Sequence, residues 1–296
     1  MTLIDFVRFD FFRPFKLKIC YNSSMKITIY LVFIFLCAKV MAQEPNAKSD
    51  FLSLCKTTLA AKPQSLPLCE TVNQKLFSKN ATSDIAAITP ADLGAPSTPI
   101  DSKIQFIAFN DPNYLAGIAY CYFVFRNWIS PTAVSPDALG MSASGFSILN
   151  EDLKKYQAWI STSVEGKKCK ANVEKEAEVS VVNLEESFKG KVALIGLNPY
   201  AAIHADNPTA ESVLAEMKLT INHERIHAYQ VACPEFETWS IKEWEKLPGT
   251  KKNEYVKKYQ SYNWSIPKIA GREYIAFLYE STPDKITEHV KNCKIK

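Results

Sequence analysis

The sequence predicts an α+β fold with a sheet-containing N-terminal lobe, a central helix and a mostly helical C-terminal lobe. Three observations lead there. Four segments between residues 103 and 197, KIQFIAF, AYCYFVF, EVSVVN and KVALIGL, are rich in aromatic and β-branched residues and read as strands of one sheet. After Asn207-Pro208 the pattern changes to helical spacing, with Val213, Met217 and Ile221 one turn apart. The remainder has the same helical character and is rich in Trp and Tyr. With 47% hydrophobic and 22% charged residues, the chain can bury a sizeable core.

Taken in order, residues 1–42 form a leader. Lys26, an apolar run from Ile27 to Ala38 and the small-residue context Val40-Met41-Ala42 compose a signal peptide, with cleavage expected after Ala42. The residues before Met25 read as an upstream start. The apolar run is shorter than the about 20 residues a membrane-spanning helix needs, so no stable membrane insertion is expected after cleavage. Leu36 is bulky where lipid attachment at Cys37 would require a small residue. The leader holds six of the 35 Lys/Arg and two of the 31 Asp/Glu, leaving 29 of each in the body. That balance argues against a nucleic-acid partner.

Residues 43–296 read as one domain with two lobes. SDFLSLCKTTLAA and ETVNQKLFSKN are helices, the first capped by Ser49 or Asp50. ATSDIAAITPADLGAPSTPIDS is a loop, and so is SPTAVSPDALGMSASG, each dominated by Pro, Ser, Gly and other turn formers. NEDLKKYQAWI is a helix opened by Asn150. The central helix is expected to begin at an Asn207 cap with a break near Thr220. TWSIKEWEKL, TKKNEYVKKYQSY and IPKIAGREYIAFLYES complete the helical lobe. Trp239, Trp244 and Trp264 are expected in its core.

Outside the leader, which contains Cys20 and Cys37, six cysteines remain: Cys55, Cys69, Cys121, Cys169, Cys233 and Cys293. An even number in an exported chain predicts three disulfides, and a secreted or periplasmic location fits them. The short separation of Cys55 and Cys69 makes them the leading pair. Cys233 with Cys293 follows, because that pair would tie the end of the central helix to the C-terminus.

The chemistry concentrates in LTINHERIHAYQ. Two of only four histidines, His223 and His227, lie four residues apart, with Glu224 beside the first. On a helix both imidazoles project from one face and can converge on one cation, with the glutamate next to it as a general base. This HExxH pattern resembles the active helix of the zincin metallopeptidases. The resemblance implies a zincin-like fold, bound Zn2+ and hydrolysis of peptide or protein substrates by activated water. It also implies that KVALIGL is the cleft-edge strand along which an extended peptide bonds. Gln230 and Cys233 stand where metzincins carry glycine and a third histidine. GTKKN (Gly249–Asn253) offers Asn253 where aspzincins carry an aspartate. Gluzincins take a glutamate from a later helix, and GREYIAFLYE offers Glu273, with Glu280 as the alternative; Ala276 completes the Glu-x-x-Ala pattern of that group. Glu254 and Asp284 are further carboxylates in reach of the same reasoning.

Other polar residues carry weaker signals. His204 and His289 are single histidines. Tyr229, Tyr274 and Tyr279 each carry a hydroxyl able to support a developing oxyanion. Asn80 and Asn263 head glycosylation sequons. The expected function is an exported zinc peptidase with His223, His227 and Glu273 as ligands and Glu224 as base. The rival is a disulfide-stapled secreted binding or structural protein whose metal site is non-catalytic or a relic.

Overall fold

The computed structural model describes residues 50–293 except 63–65, 79–83, 128, 133, 185–189, 205–206, 260–261, 263 and 292. The expected leader, Ser49, Asn80 and Asn263 lie outside the described residues. The fold is α+β, a small mixed sheet among many helices.

Helix α1 (Phe51–Thr58) starts at Asp50, whose Oδ1 accepts the Ser53 amide at 2.8 Å. Helix α2 (Leu66–Phe77) follows. The sheet is built from β1 (Ile85–Ala87), β2 (Ile104–Phe109), β3 (Gly145–Leu149) and β4 (Ala193–Leu197), in the order β1-β2-β4-β3. Strands β2 and β4 are parallel, while the outer strands β1 and β3 each run antiparallel to their neighbour. Because side chains alternate across a strand, the sheet has two buried faces. Phe106, Ala108, Leu149, Ile195 and Leu197 pack with α1, α2 and the long helix α9 (Ala210–Ala232). Ile107, Phe109, Phe146, Ile148 and Leu194 face the opposite way, onto the intervening helices. These are α3 (Pro112–Leu115), α4 (Cys121–Phe125), α5 (Pro136–Ser142), α6 (Leu153–Thr162) and α7 (Val164–Glu176). A short helix, α8 (Pro199–Ala202), joins β4 to α9.

Two of the four expected strands are present, 104–109 and 193–197, and two expectations are corrected. AYCYFVF is helical: Asp111 caps Asn113 and Pro112 stands in the first turn, so the chain enters α3, passes through a π turn (Ala116–Tyr120) and continues as α4. A run buried on all sides carries no periodicity to separate helix from strand. EVSVVN joins no strand; the Val182 amide instead bonds to the Gly117 carbonyl at 3.0 Å. A Cβ on Gly117 would lie 2.8 Å from the Ser180 carbonyl oxygen, so this segment crosses the π turn in close contact. Of the missing strands, β1 comes from a segment whose turn-forming composition predicts a loop, and β3 starts on the last residue of another such stretch and occupies the short interval before the helix expected at Asn150. Strand β4, expected as the cleft edge, is interior; β3 is the outer strand on that side.

Helix α9 begins later than expected and is unbroken at Thr220. Thr209 and Ser212 form a reciprocal capping box, with Thr209 Oγ1 accepting at 3.1 Å and Ser212 Oγ at 2.9 Å, while Asn207 adopts a left-handed φ of 52°. The chain ends in α10 (Pro234–Lys246), α11 (Gly249–Lys258), α12 (Pro267–Tyr279) and α13 (Asp284–Val290). Trp244 and Trp264 form a core with Ala270 and Phe277. Trp239 instead is half-buried, stacked between Phe236 and His289. Cysteines pair as Cys55–Cys69, Cys121–Cys169 and Cys233–Cys293, with Cα–Cα distances of 5.7, 5.9 and 5.8 Å. Disulfides point to an oxidising compartment. Among the described residues no helix is long and apolar enough to cross a membrane.

Candidate metal centre

His223, Glu224 and His227 lie in the middle of α9, where every side chain from Thr220 to Gln230 is buried. Helix α12 packs against this stretch and brings Glu273 to it. Glu273 Oε2 lies 3.4 Å from His223 Nε2, and its Oε1 lies 3.7 Å from His227 Nε2. The donor atoms of all three residues fall within 4.8 Å of one another. Tetrahedral zinc with donors at about 2.0–2.1 Å separates them by about 3.3 Å, so two imidazoles and a carboxylate at this spacing can hold a metal ion.

The far nitrogens of both rings support the same conclusion. His223 Nδ1 meets Glu280 Oε2 at 2.9 Å, and His227 Nδ1 meets Gln230 Oε1 at 2.8 Å. Gln230 is itself fixed through Nε2, which donates to the Arg272 carbonyl at 3.0 Å and to Ser240 Oγ at 3.3 Å. Acceptors at Nδ1 place a ring proton there, so each Nε2 faces Glu273 and offers a lone pair on that side whenever its ring is neutral, as in metal-binding histidines whose other nitrogen is anchored. Asn222 Nδ2 donates to the Glu280 carbonyl at 2.9 Å, joining the end of α12 to α9.

The electrostatics follow from burial among carboxylates. Burial opposes charge on His223, but hydrogen bonds to Glu273 and Glu280, with Glu224 nearby, raise its pKa to about 9. His227 is held well below the usual imidazole range by burial and by the charge on His223. Without a metal the pair therefore carries one proton beyond the two at Nδ1, and it sits on His223, at the nitrogen facing Glu273.

Glu224 takes a different partner. Its Oε2 accepts a hydrogen bond from Ser147 Oγ on β3 at 2.7 Å, and both residues are buried. Sequence reasoning missed Ser147, which lies just beyond a stretch read as loop, and missed Gln230 as an anchor for His227. Arg272, next to Glu273, reaches Glu237 through Nε at 2.6 Å and Glu151 through Nη1 at 3.6 Å.

The remaining candidates lie elsewhere. The Tyr229 hydroxyl accepts the Ile100 amide at 3.3 Å and so holds a loop, Tyr274 packs on Trp244 and Tyr255, and Tyr279 packs near Trp239. His204 contacts Tyr200, and His289 is an exposed ring on Trp239. Glu254 is an exposed partner of Lys251, and Asp284 is an exposed residue at the start of α13. Comparison with protein-family models, with curated proteins and with solved structures finds no match to this chain.

Proposed function

We propose that this protein is an exported zinc-dependent peptidase of the gluzincin type, with His223, His227 and Glu273 as metal ligands and Glu224 as general base. The observation that carries the proposal is the convergence of Glu273 from α12 on both Nε2 atoms of α9, with Glu224 one residue from a ligand. Three protein donors leave a fourth position of a tetrahedral site for solvent or substrate. A bound zinc ion supplies Lewis acidity, polarising a carbonyl and acidifying water. Glu224 accepts the proton of the attacking water at its carboxylate and returns it to the departing amine. Glu280 and Gln230 hold the two imidazoles in one tautomer and one orientation. The antiparallel outer strand β3 beside α9 supports a zincin-like layout. Export is supported by the leader sequence together with the three disulfides.

One observation favours a second reading. His223, Glu224, His227 and Glu273 are at most 2% exposed. Burial this complete leaves a substrate little access to the site from solvent, as suits a metal with a structural task. On that reading the cation ties α9 to α12 in a disulfide-stapled secreted binding or structural protein, and no turnover follows.

Zinc content and a peptide-library digest of wild type, Glu224→Gln and His223→Ala decide between them. The peptidase reading expects cleavage by wild type, a loss of about 100-fold or more in Glu224→Gln with zinc retained, and loss of zinc in His223→Ala. Stoichiometric zinc without cleavage in any of them would overturn it in favour of the structural site.

A further inference from the structure

We infer that Ser147 on β3 is a positioning residue for Glu224, fixing the carboxylate that acts as base; this rests on the peptidase reading above. Strand β3 lies directly on α9. A Cβ at Gly145 would fall 2.3 Å from Thr220 Cγ2, so the absence of a side chain there lets strand and helix touch. Two residues along a strand advance about 6.6 Å and four along a helix about 6 Å. The contact of Gly145 with Thr220 therefore repeats as a contact of Ser147 with Glu224, and the observed Oγ to Oε2 distance is 2.7 Å.

The surroundings show why serine stands at this position. Ser147 pairs in register with Ile195, which pairs with Phe106. The same sheet face continues through Leu149, Ala193, Leu197 and Ala108, all apolar and buried. A wholly buried hydroxyl on such a face is costly unless it is hydrogen-bonded. Its bond has the length of a charge-assisted O–H···O contact. A glutamate side chain turns about three bonds; anchoring Oε2 restricts that freedom. Ser147 supplies no metal donor, so its effect falls on the orientation of the base and not on metal content.

The test compares Ser147→Ala and Ser147→Thr with wild type, using a peptide that wild type cleaves and the 13C carboxyl resonance of Glu224, identified by its loss in Glu224→Gln. In Ser147→Ala we expect full zinc content, an unchanged KM, a kcat lower by about 10–100-fold, and a displaced Glu224 resonance. Threonine keeps the hydroxyl and suits a strand, so Ser147→Thr should recover both signals. Wild-type kcat in Ser147→Ala, or a loss confined to KM or zinc, overturns the inference. If wild type cleaves no peptide, the peptidase reading fails with it, and the resonance still decides whether Ser147 holds the carboxylate. An unmoved resonance overturns that contact as well.

Discussion

At His223 and His227 the ring nitrogens turned away from Glu273 determine what the near ones do. Because Glu280 and Gln230 accept at Nδ1, the proposed metal site gives the two carboxylates different tasks: Glu273, in α12, would be a ligand and Glu280, just past its end, would orient one. Glu273→Ala should therefore weaken zinc binding well beyond the about 10–100-fold expected for Glu280→Ala, as read by competition with a chelating dye. Wild-type affinity in Glu273→Ala would exchange the two roles. The proton on His223 gives a pH dependence with a definite sign. Its folded pKa of about 9 stands above the ordinary 6.5, so its contribution to the metal-free protein is complete below about 6.5 and is lost as pH rises towards 9. His227, held neutral, adds no slope in that window. A zinc ion held by the proposed site would displace the His223 proton, so the zinc-loaded protein would escape this loss. The gain in stability on adding zinc should grow by on the order of 1 kcal/mol per pH unit between about 6.5 and 8.5. Melting curves with and without zinc across that range check it; a gain that shrinks with rising pH would contradict the proton's placement.

The placement of Glu273 depends on how α12 sits, and its second neighbour Gly271 sets that. A Cβ there would lie 2.6 Å from Ile241 Cα and 2.9 Å from the Ser240 carbonyl oxygen, both backbone of α10, so neither can swing aside. Gly271→Ala should cost about 1–3 kcal/mol and weaken zinc binding at the same time. Gly249→Ala, with nothing within 4 Å of the new carbon, should change stability by less than about 0.5 kcal/mol. Chemical denaturation of both variants makes the comparison, and equal losses would remove the special status of the crossing. What the sequence reveals follows the same physics. Helices with a one-sided apolar stripe, such as α1, α2, α6 and α10, are legible because periodicity reports burial on one face. The 119–125 run is not, being apolar all round, and β3 is hidden by the turn-rich stretch before it. His223, Glu224 and His227 are legible because a single helix fixes their relation. Glu273 in α12 and Glu280 just past its end lie on one side of that helix, so only the packing of two helices separates them, and Ser147 depends on a strand meeting a helix 77 residues away.

Across the molecule the disulfides divide the work. Cys55–Cys69 ties α1 to α2, Cys121–Cys169 ties α4 to α7 on the other side of the sheet, and Cys233–Cys293 ties the end of α9 to the segment after α13. Titration of the unfolded, unreduced protein should find no free thiol among these six, and replacing Cys233 and Cys293 together by serine should cost about 2–5 kcal/mol. Both pairs expected from the sequence form, because each joins segments that the chain path already brings together. The last bridge has a consequence for the survival of a damaged molecule. Glu273 lies inside the 60-residue span closed by Cys233 and Cys293, while both histidines lie before it. A nick anywhere within that span, by the proposed activity or by any other peptidase, would cut the chain without freeing either piece. The nicked form would run as one band on a non-reducing gel and as two after reduction, with the severed helix still tethered beside its histidines.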